Sequence, residues 1–270
     1  MSEDQAVVGA MLADMLAEPS AGAERVSQAL LGEPVAVLEE REGWARVRTP
    51  DAYEGWVRAA ALVPTPDGGY PPDGRGAVVQ PMLAHLRAVP RDWGRPLALV
   101  TLGSLVSVAG ATHGWRRVRL PAGVAGWMRA RHLAVPVPPG DFPPDGAALV
   151  ESAHRFLGVP YLWGGRSTLG VDCSGLTQRA YALCGMVIPR DAHLQAAWPG
   201  FADVSLSAVE AGDLVFFASE EDPRRRGITH VGMAIDGERM VHAAGGKGVC
   251  VEPFASPPAA RQLVAARRPR

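Results

Sequence analysis

Three residues of this chain have the types that acyl transfer to a thiol requires: Cys173, His230 and His242. A cysteine attacks as its thiolate, so it needs a base to take the proton, and the base needs a partner that fixes its ring. Local sequence separates Cys173 from Cys184 and Cys250. It lies in Val171-Asp-Cys-Ser-Gly175, directly before Leu176-Thr-Gln-Arg-Ala-Tyr-Ala-Leu-Cys184, which reads as a helix. Asp172 is then the N-cap and Cys173 sits in the first helical turn. There the helix dipole and the unpaired N–H groups favour a thiolate, so a lowered pKa is expected. Cys184 lies at the other end of the same helix, where the dipole disfavours a thiolate, and Cys250 lies in a glycine-rich strand context.

The histidines must come from elements that bring them together. Asp213-Leu-Val-Phe-Phe217 reads as a strand, Ile228 to Ile235 as a second carrying His230, and Met240 to Ala243 as a third carrying His242. Asp236-Gly237 favours a hairpin between the last two, and antiparallel pairing would place the two imidazoles near each other. This assigns the expected roles: Cys173 attacks, His230 takes the proton, and His242 holds the His230 ring in orientation. Three ligands and a water would also suit zinc, and packing alone is the bland reading of His242. Ahead of the cysteine, Gly146 to Leu157 reads as a helix with Ala148, Leu149, Ser152, Ala153 and Phe156 on one face, and the turn-rich Pro160 to Gly165 comes next.

Composition narrows the function classes. The formal net charge is −1, so no bulk positive field draws nucleic acid or an anionic membrane. Three cysteines without a CxxC spacing argue against a disulfide framework and a structural zinc site. The start Met-Ser-Glu-Asp is acidic where a secretion signal is positive, and no apolar run spans a bilayer, so the cytoplasm is the expected compartment. The 31 glycines and 24 prolines predict many turns and a large β component.

An internal repeat organises the first half. A shift of 71 residues superimposes Val8 on Val79, Gly43-Trp44 on Gly114-Trp115, Gly55-Trp56 on Gly126-Trp127, and Leu62 on Leu133. Short strand-like runs with glycine turns, a central Trp and a Gly-Trp pair predict two small β-barrels, over 1–66 and 75–137, with the four tryptophans in their cores. The pattern resembles the bacterial SH3-like domain. A Pro/Gly-rich connector comes after each copy, at 64–74 and 136–144. Both read as stiff and extended, and should separate the two barrels from the C-terminal half of the chain.

Over 146–268, Tyr161-Leu-Trp-Gly-Gly165, Asp172-Cys-Ser-Gly175, Pro189-Arg-Asp191, Gly212-Asp-Leu-Val-Phe216, His230-Val-Gly232 and His242-Ala243 resemble, in order and spacing, the NlpC/P60 peptidases. With two SH3-like barrels in front, the chain is similar to the γ-D-glutamyl-L-diamino acid endopeptidases of YkfC type. The resemblance implies an α+β architecture, two small SH3-like β-barrels followed by a papain-like catalytic domain over 145–270. It implies cleavage between D-Glu and a diamino acid in murein stem peptides, with no metal or cofactor. Cys173, His230 and His242 take the family's catalytic positions, and Tyr161, Asp172 and Ser174 its substrate-pocket positions. Glu18 and Tyr53 fit the acid and phenol that bind the free amine of the substrate's L-Ala, and the second copy has Val89 and Val124 there. Tyr161 and the Cys173 N–H are the expected oxyanion donors. Ala192 departs from the serine of many relatives, and the charged loop 219–226 has no assigned purpose. A different thiol-dependent amidase or acyltransferase, or a wall-binding SH3-like module, are the alternative functions.

Overall fold

The computed structural model describes residues 4–65, 69–138, 143–219, 227–255 and 261–270. The chain divides into two compact units, Met1–Pro136 and Val137–Arg270.

In the first unit the repeat becomes two sheets. The first copy supplies β1 (Asp4–Val8), β2 (Leu12–Leu16), β3 (Arg25–Leu30), β4 (Pro34–Arg41), β5 (Trp44–Arg48), β6 (Glu54–Arg58) and β7 (Leu62–Pro64). The second supplies β8 (Gly76–Val79), β9 (Leu83–Arg87), β10 (Pro96–Thr101), β11 (Leu105–Thr112), β12 (Trp115–Arg119), β13 (Ala125–Arg129) and β14 (Leu133–Ala134). The strand orders, β3-β2-β6-β5-β4-β1-β7 and β10-β9-β13-β12-β11-β8-β14, are the same order. The turn joining β4 to β5 has Glu42 and Gly43 at φ 50° and 81°, and its copy has His113 and Gly114 at 39° and 80°. Two successive positive φ values match the right-handed twist of a two-residue hairpin.

Each copy encloses its own apolar core, around Val8, Met15, Val47 and Val57 in the first and Val79, Leu86, Val118 and Met128 in the second. Trp44 and Trp115 are buried as expected. The Arg58 guanidinium lies 3.9 Å over Trp44 and that of Arg129 4.4 Å over Trp115. Trp56 and Trp127, expected in the cores, are only half-buried. Strand alternation explains the difference: Gly55 and Val57 take the inner face of β6, so Trp56 between them faces outward.

The two copies are joined at Leu31-Gly32. Leu31 is buried in the second copy's core, and its carbonyl accepts the Leu105 N–H at 2.9 Å. Gly32, at φ 82°, permits the approach: a Cβ there would stand 2.0 Å from the Leu105 carbonyl oxygen.

The second unit contains α1 (Gly146–His154), β15 (Arg166–Ser167), β16 (Gly170–Val171), α2 (Cys173–Leu183), α3 (Ala192–Ala197), β17 (Phe201–Val204), β18 (Leu214–Ser219), β19 (Ile228–Ala234), β20 (Arg239–Ala244), β21 (Gly248–Pro253) and β22 (Arg261–Pro269). Its main sheet is antiparallel, in the order β17-β22-β18-β19-β20-β21. The Asp145 carboxylate caps α1 through the Ala148 N–H. Leu149 and Ala153 are buried on the expected face, and the helix stops three residues short of Leu157. Helix α2 is buried at every position from Cys173 to Tyr181, so it is the central helix of this unit and packs on β19 and β20. Asp213 precedes β18 and is buried. Its carboxylate accepts two hydrogen bonds from Arg268, at 2.7 and 2.8 Å, which fasten the last strand. Of the charged loop 219–226, residues 220–226 lie outside the described residues.

Candidate active site

Cys173 is positioned by a folded-over turn. Asp172 is the N-cap of α2, and its Oδ1 accepts the Gly175 N–H at 2.7 Å. The Pro160 to Gly165 segment is pinned against the approach to α2. Leu162 N–H donates to the Val171 carbonyl, Asp172 N–H to that of Gly165, and Gly164 N–H to Asp172 Oδ2 at 2.9 Å. The pair of glycines is needed here. Gly164 has φ 72°, and a Cβ on Gly175 would lie 2.1 Å from the Gly165 carbonyl oxygen. Tyr161 forms a bridge with Val171, two residues before the cysteine.

Arg190 locks this arrangement. Its guanidinium is 1% exposed and donates to Asp172 Oδ1 at 3.0 Å, Asp172 Oδ2 at 2.6 Å and Ser174 Oγ at 2.9 Å. A planar fork on a carboxylate fixes both partners in orientation. The Asp172 and Ser174 side chains, expected to line the substrate pocket, are thus anchored from behind by Arg190, whose motif is visible in the sequence while its partner is not. Gln195, also buried, ties the same turn to α3: its Nε2 donates to the Ser174 carbonyl at 3.1 Å and to that of Pro189 at 2.8 Å.

Cys173 begins α2 and is buried. Its sulfur accepts the backbone N–H groups of Val231 and Ser174, which sets it beside the His230 end of β19. The expected lowering of its pKa is reversed. Burial, and after it the Asp172 carboxylate, push the thiol up to about 11. The two N–H groups and Arg190 pull in the other direction. The helix dipole acts only from the helix end, whereas the loss of hydration comes from the whole unit closing over the thiol. The resting group is therefore a thiol.

His230, the expected base, lies beside His242. His230 Nε2 and His242 Nδ1 are 2.8 Å apart, in rings 84° from coplanar, and both residues are buried. The hairpin of β19 and β20 pairs Met233 with Val241 and Ala234 with Met240, and the Asp236 carboxylate closes its turn through the Glu238 and Arg239 N–H groups. A further residue extends the chain, one that sequence reasoning missed: His242 Nε2 lies 3.0 Å from Glu252 Oε2 on β21. Lys247 forms an ion pair with the other oxygen of Glu252. Lys247 first, and His242 after it, hold the Glu252 carboxyl below the usual range. An ionised Glu252 only accepts, so His242 carries its proton on Nε2 and offers the Nδ1 lone pair. His230 then donates from Nε2 across the 2.8 Å contact. One residue on an edge strand so sets the tautomers of both imidazoles.

The other two cysteines lie elsewhere in the unit. Cys184 caps the far end of α2, 3.4 Å from Ser152 Oγ. Cys250 Sγ is 3.7 Å from His242 Nε2, the ring nitrogen that does not face His230. Glu18 and Tyr53 belong to the first unit. Glu18 is exposed two residues beyond β2, and Tyr53 is half-buried immediately before β6. Because Leu16 pairs with Trp56 between those strands, both residues leave the sheet at the same edge.

Comparison with known proteins gives the chain's relatives. Residues 158–268 match the NlpC/P60 family, and residues 15–62 match the bacterial dipeptidyl-peptidase Sh3 domain. Dipeptidyl-peptidase 6 of Lysinibacillus sphaericus is 31% identical over 255 residues, which cover 91% of this chain and 90% of that protein. The gamma-D-glutamyl-L-lysine dipeptidyl-peptidase of Bacillus cereus is 30% identical over 90% of this chain and 74% of its own. A solved NlpC/P60 family protein from Bacillus cereus superposes with a TM-score of 0.83 at 23% identity, over 98% of this chain and 99% of that one, a likeness of fold.

Proposed function

This chain belongs to the NlpC/P60 family of cysteine peptidases, and from that premise we propose that it hydrolyses the bond between γ-D-glutamate and a diamino acid in murein stem peptides whose N-terminal L-Ala is free. The observation that carries the reading is the relay behind Cys173: a buried thiol at the start of α2, next to the His230 strand, with His230, His242 and Glu252 linked at 2.8 and 3.0 Å. The likeness to proteins named dipeptidyl-peptidase and gamma-D-glutamyl-L-lysine dipeptidyl-peptidase supports the substrate class.

In this mechanism Cys173 Sγ attacks the γ-carbonyl carbon while its proton passes to His230 Nδ1. The carbonyl oxygen becomes an oxyanion that the Cys173 N–H and the Tyr161 hydroxyl stabilise. The C–N bond breaks, His230 returns the proton to the leaving amine, and an acyl thioester remains. Water then attacks the thioester, giving its proton to His230, and the thiol is regenerated. Ser174, held by Arg190, orients the glutamyl portion. Glu18 and Tyr53 read the free amine. A carboxylate favours an ammonium over an amide, so stem peptides still attached to sugar would be rejected, as suits the recycling of small wall fragments in the cytoplasm. Among the described residues no helix is long and apolar enough to cross a membrane. The three domains of this reading are 1–66, 75–137 and 145–270.

The test is hydrolysis of L-Ala-γ-D-Glu-diaminopimelate beside its N-acetylated form, followed by mass spectrometry. Cleavage of the free-amine peptide alone, abolished in Cys173→Ala, is expected. Equal cleavage of both would remove the amine gate. Cleavage of neither, with a thiol that still turns over other γ-glutamyl amides, would move the chain to another acyl-transfer reaction.

A further inference from the structure

We propose that His242, Cys250 and Glu252 form a binding site for a single borderline-soft divalent cation, Zn²⁺ being the type case, and that filling it switches the catalytic base off. The site is distinct from a Cys173–His230–His242 set and lies behind the relay, on the outer strands of the sheet.

The register of two strands builds it. His242 on β20 is directly opposite Cys250 on β21, and Glu252 comes two residues later on the same face. One nitrogen, one sulfur and one carboxylate oxygen from these residues all lie within 4.8 Å of one another. Zinc binds nitrogen at about 2.0–2.1 Å and thiolate at about 2.3 Å in a tetrahedral array, which sets the two ligand atoms roughly 3.5 Å apart. His242 Nε2 and Cys250 Sγ are already 3.7 Å apart. Glu252 Oε2, at 3.0 Å from the same nitrogen, needs to retreat by a few tenths of an ångström. Imidazole, thiolate and carboxylate together suit zinc better than magnesium or calcium, which prefer oxygen. Cys250 and Glu252 are half-buried on an edge strand, so an ion and a fourth, water ligand have access from solvent. A cation already sits on this carboxylate: Lys247, 62% exposed, can swing away when a divalent ion replaces it.

The consequence for catalysis comes from proton bookkeeping on two rings. A metal on Nε2 leaves Nδ1 as the protonated nitrogen of His242, and binding releases the Cys250 thiol proton to solvent. His242 Nδ1–H must then donate across the 2.8 Å contact, so His230 Nε2 becomes the acceptor and His230 Nδ1 carries the ring's proton. Cys173 now faces an N–H where it had a lone pair. The switching half of the proposal rests on His230 being the base, as in the proposed function; the binding half does not.

The full-length Cys173→Ala protein, titrated with Co²⁺, tests binding alone. One equivalent should bring up a thiolate-to-cobalt charge-transfer absorption that Cys250→Ser abolishes and Cys184→Ser leaves intact. Absence of the band, or its survival in Cys250→Ser, overturns the site. Alkylation of Cys173 by iodoacetamide, mapped by mass spectrometry, tests the switch without any peptide substrate. One equivalent of Zn²⁺ should slow it at least tenfold, with chelator restoring the rate, and should have no such effect in Cys250→Ser. Equal slowing in Cys250→Ser would place the metal on Cys173 itself, and no slowing in the wild-type protein would refute the tautomer argument.

Discussion

Replacing Arg190 with methionine keeps most of the side chain's volume and removes its charge. Asp172 then keeps the Gly164 and Gly175 N–H groups, at 2.9 and 2.7 Å, and the longer bond from the Ser174 hydroxyl at 3.4 Å, around a carboxylate that is 9% exposed. Removing one partner of a buried ion pair costs about 3–5 kcal/mol, and Ser174 Oγ loses a donor as well, worth about 1 kcal/mol. Because α2 is buried throughout, its amides exchange with solvent only when this unit opens. At roughly a factor of ten per 1.4 kcal/mol, the combined loss of about 4–6 kcal/mol should accelerate exchange in α2 by about three to four orders of magnitude. The double variant Arg190→Met, Asp172→Asn keeps an N-cap without leaving a stranded charge, and should recover more than half of the loss. Hydrogen exchange of the full chain, resolved to α2 by mass spectrometry, measures both. An acceleration below tenfold, or a double variant no better than the single, would show that the Arg190–Asp172 pair does not hold the nucleophile's turn.

Three other outcomes can be checked alongside. Glu252→Leu should lower kcat about tenfold with little change in KM and alter the pH profile of kcat, while Glu252→Gln, which can still accept from His242, should restore part of it; a purely structural role would instead show as lost stability. The Cys173 thiol is raised by burial to about 11, so below pH 9 it is protonated in both folded and unfolded chains, and as pH rises from about 9 through 11 the unfolded chain loses the proton first. Stability should fall over that window by about 2–3 kcal/mol more than in Cys173→Ala, read as urea midpoints, and parallel curves for the two proteins would contradict the raised value. Gly32→Ala places a Cβ 2.0 Å from the Leu105 carbonyl oxygen at φ 82°. It should unprotect the Leu105 amide, which bonds across the two copies, by well over tenfold, and unchanged exchange there would mean that the join does not depend on this contact.

The parts of this site legible in the sequence are those whose cause is local. Asp172 caps the helix that begins at Cys173, and Asp236-Gly237 closes the hairpin that brings His230 to His242; both signals lie within a few residues of what they position. The 71-residue repeat likewise foretells two sheets of one strand order, because each copy folds on its own core. What escapes is tertiary. The helix end alone argues for a lowered thiol pKa, and burial outweighs it. Pro189-Arg-Asp191 stands out as a motif, but Arg190 meets Asp172 eighteen residues earlier in the chain, and nothing in either segment announces the pairing. Glu252 alternates with the exposed Val251 and reads as one more solvated strand charge. The arginine-rich β22 conceals a strand for a similar reason, since its attachment depends on Asp213, fifty-five residues away. The join at Leu31 is invisible because a repeat says nothing about which copy leans on the other.

The strands of the catalytic sheet differ in how many neighbours hold them. Those bearing His230 and His242 are each flanked on both sides, whereas β21, with Glu252, has a single neighbour among the described residues and stands at the edge. Thermal fluctuations detach an edge strand at lower cost than an inner one. When β21 frays, Cys173, His230 and His242 remain seated while the carboxylate that orders the imidazole protons has gone. Heat should therefore silence this protein some degrees before it melts, and reversibly. Its working ceiling would be set by the grip of one strand on its one partner, and reinforcing that grip, with no change to the core, is the shortest route to activity at higher temperature.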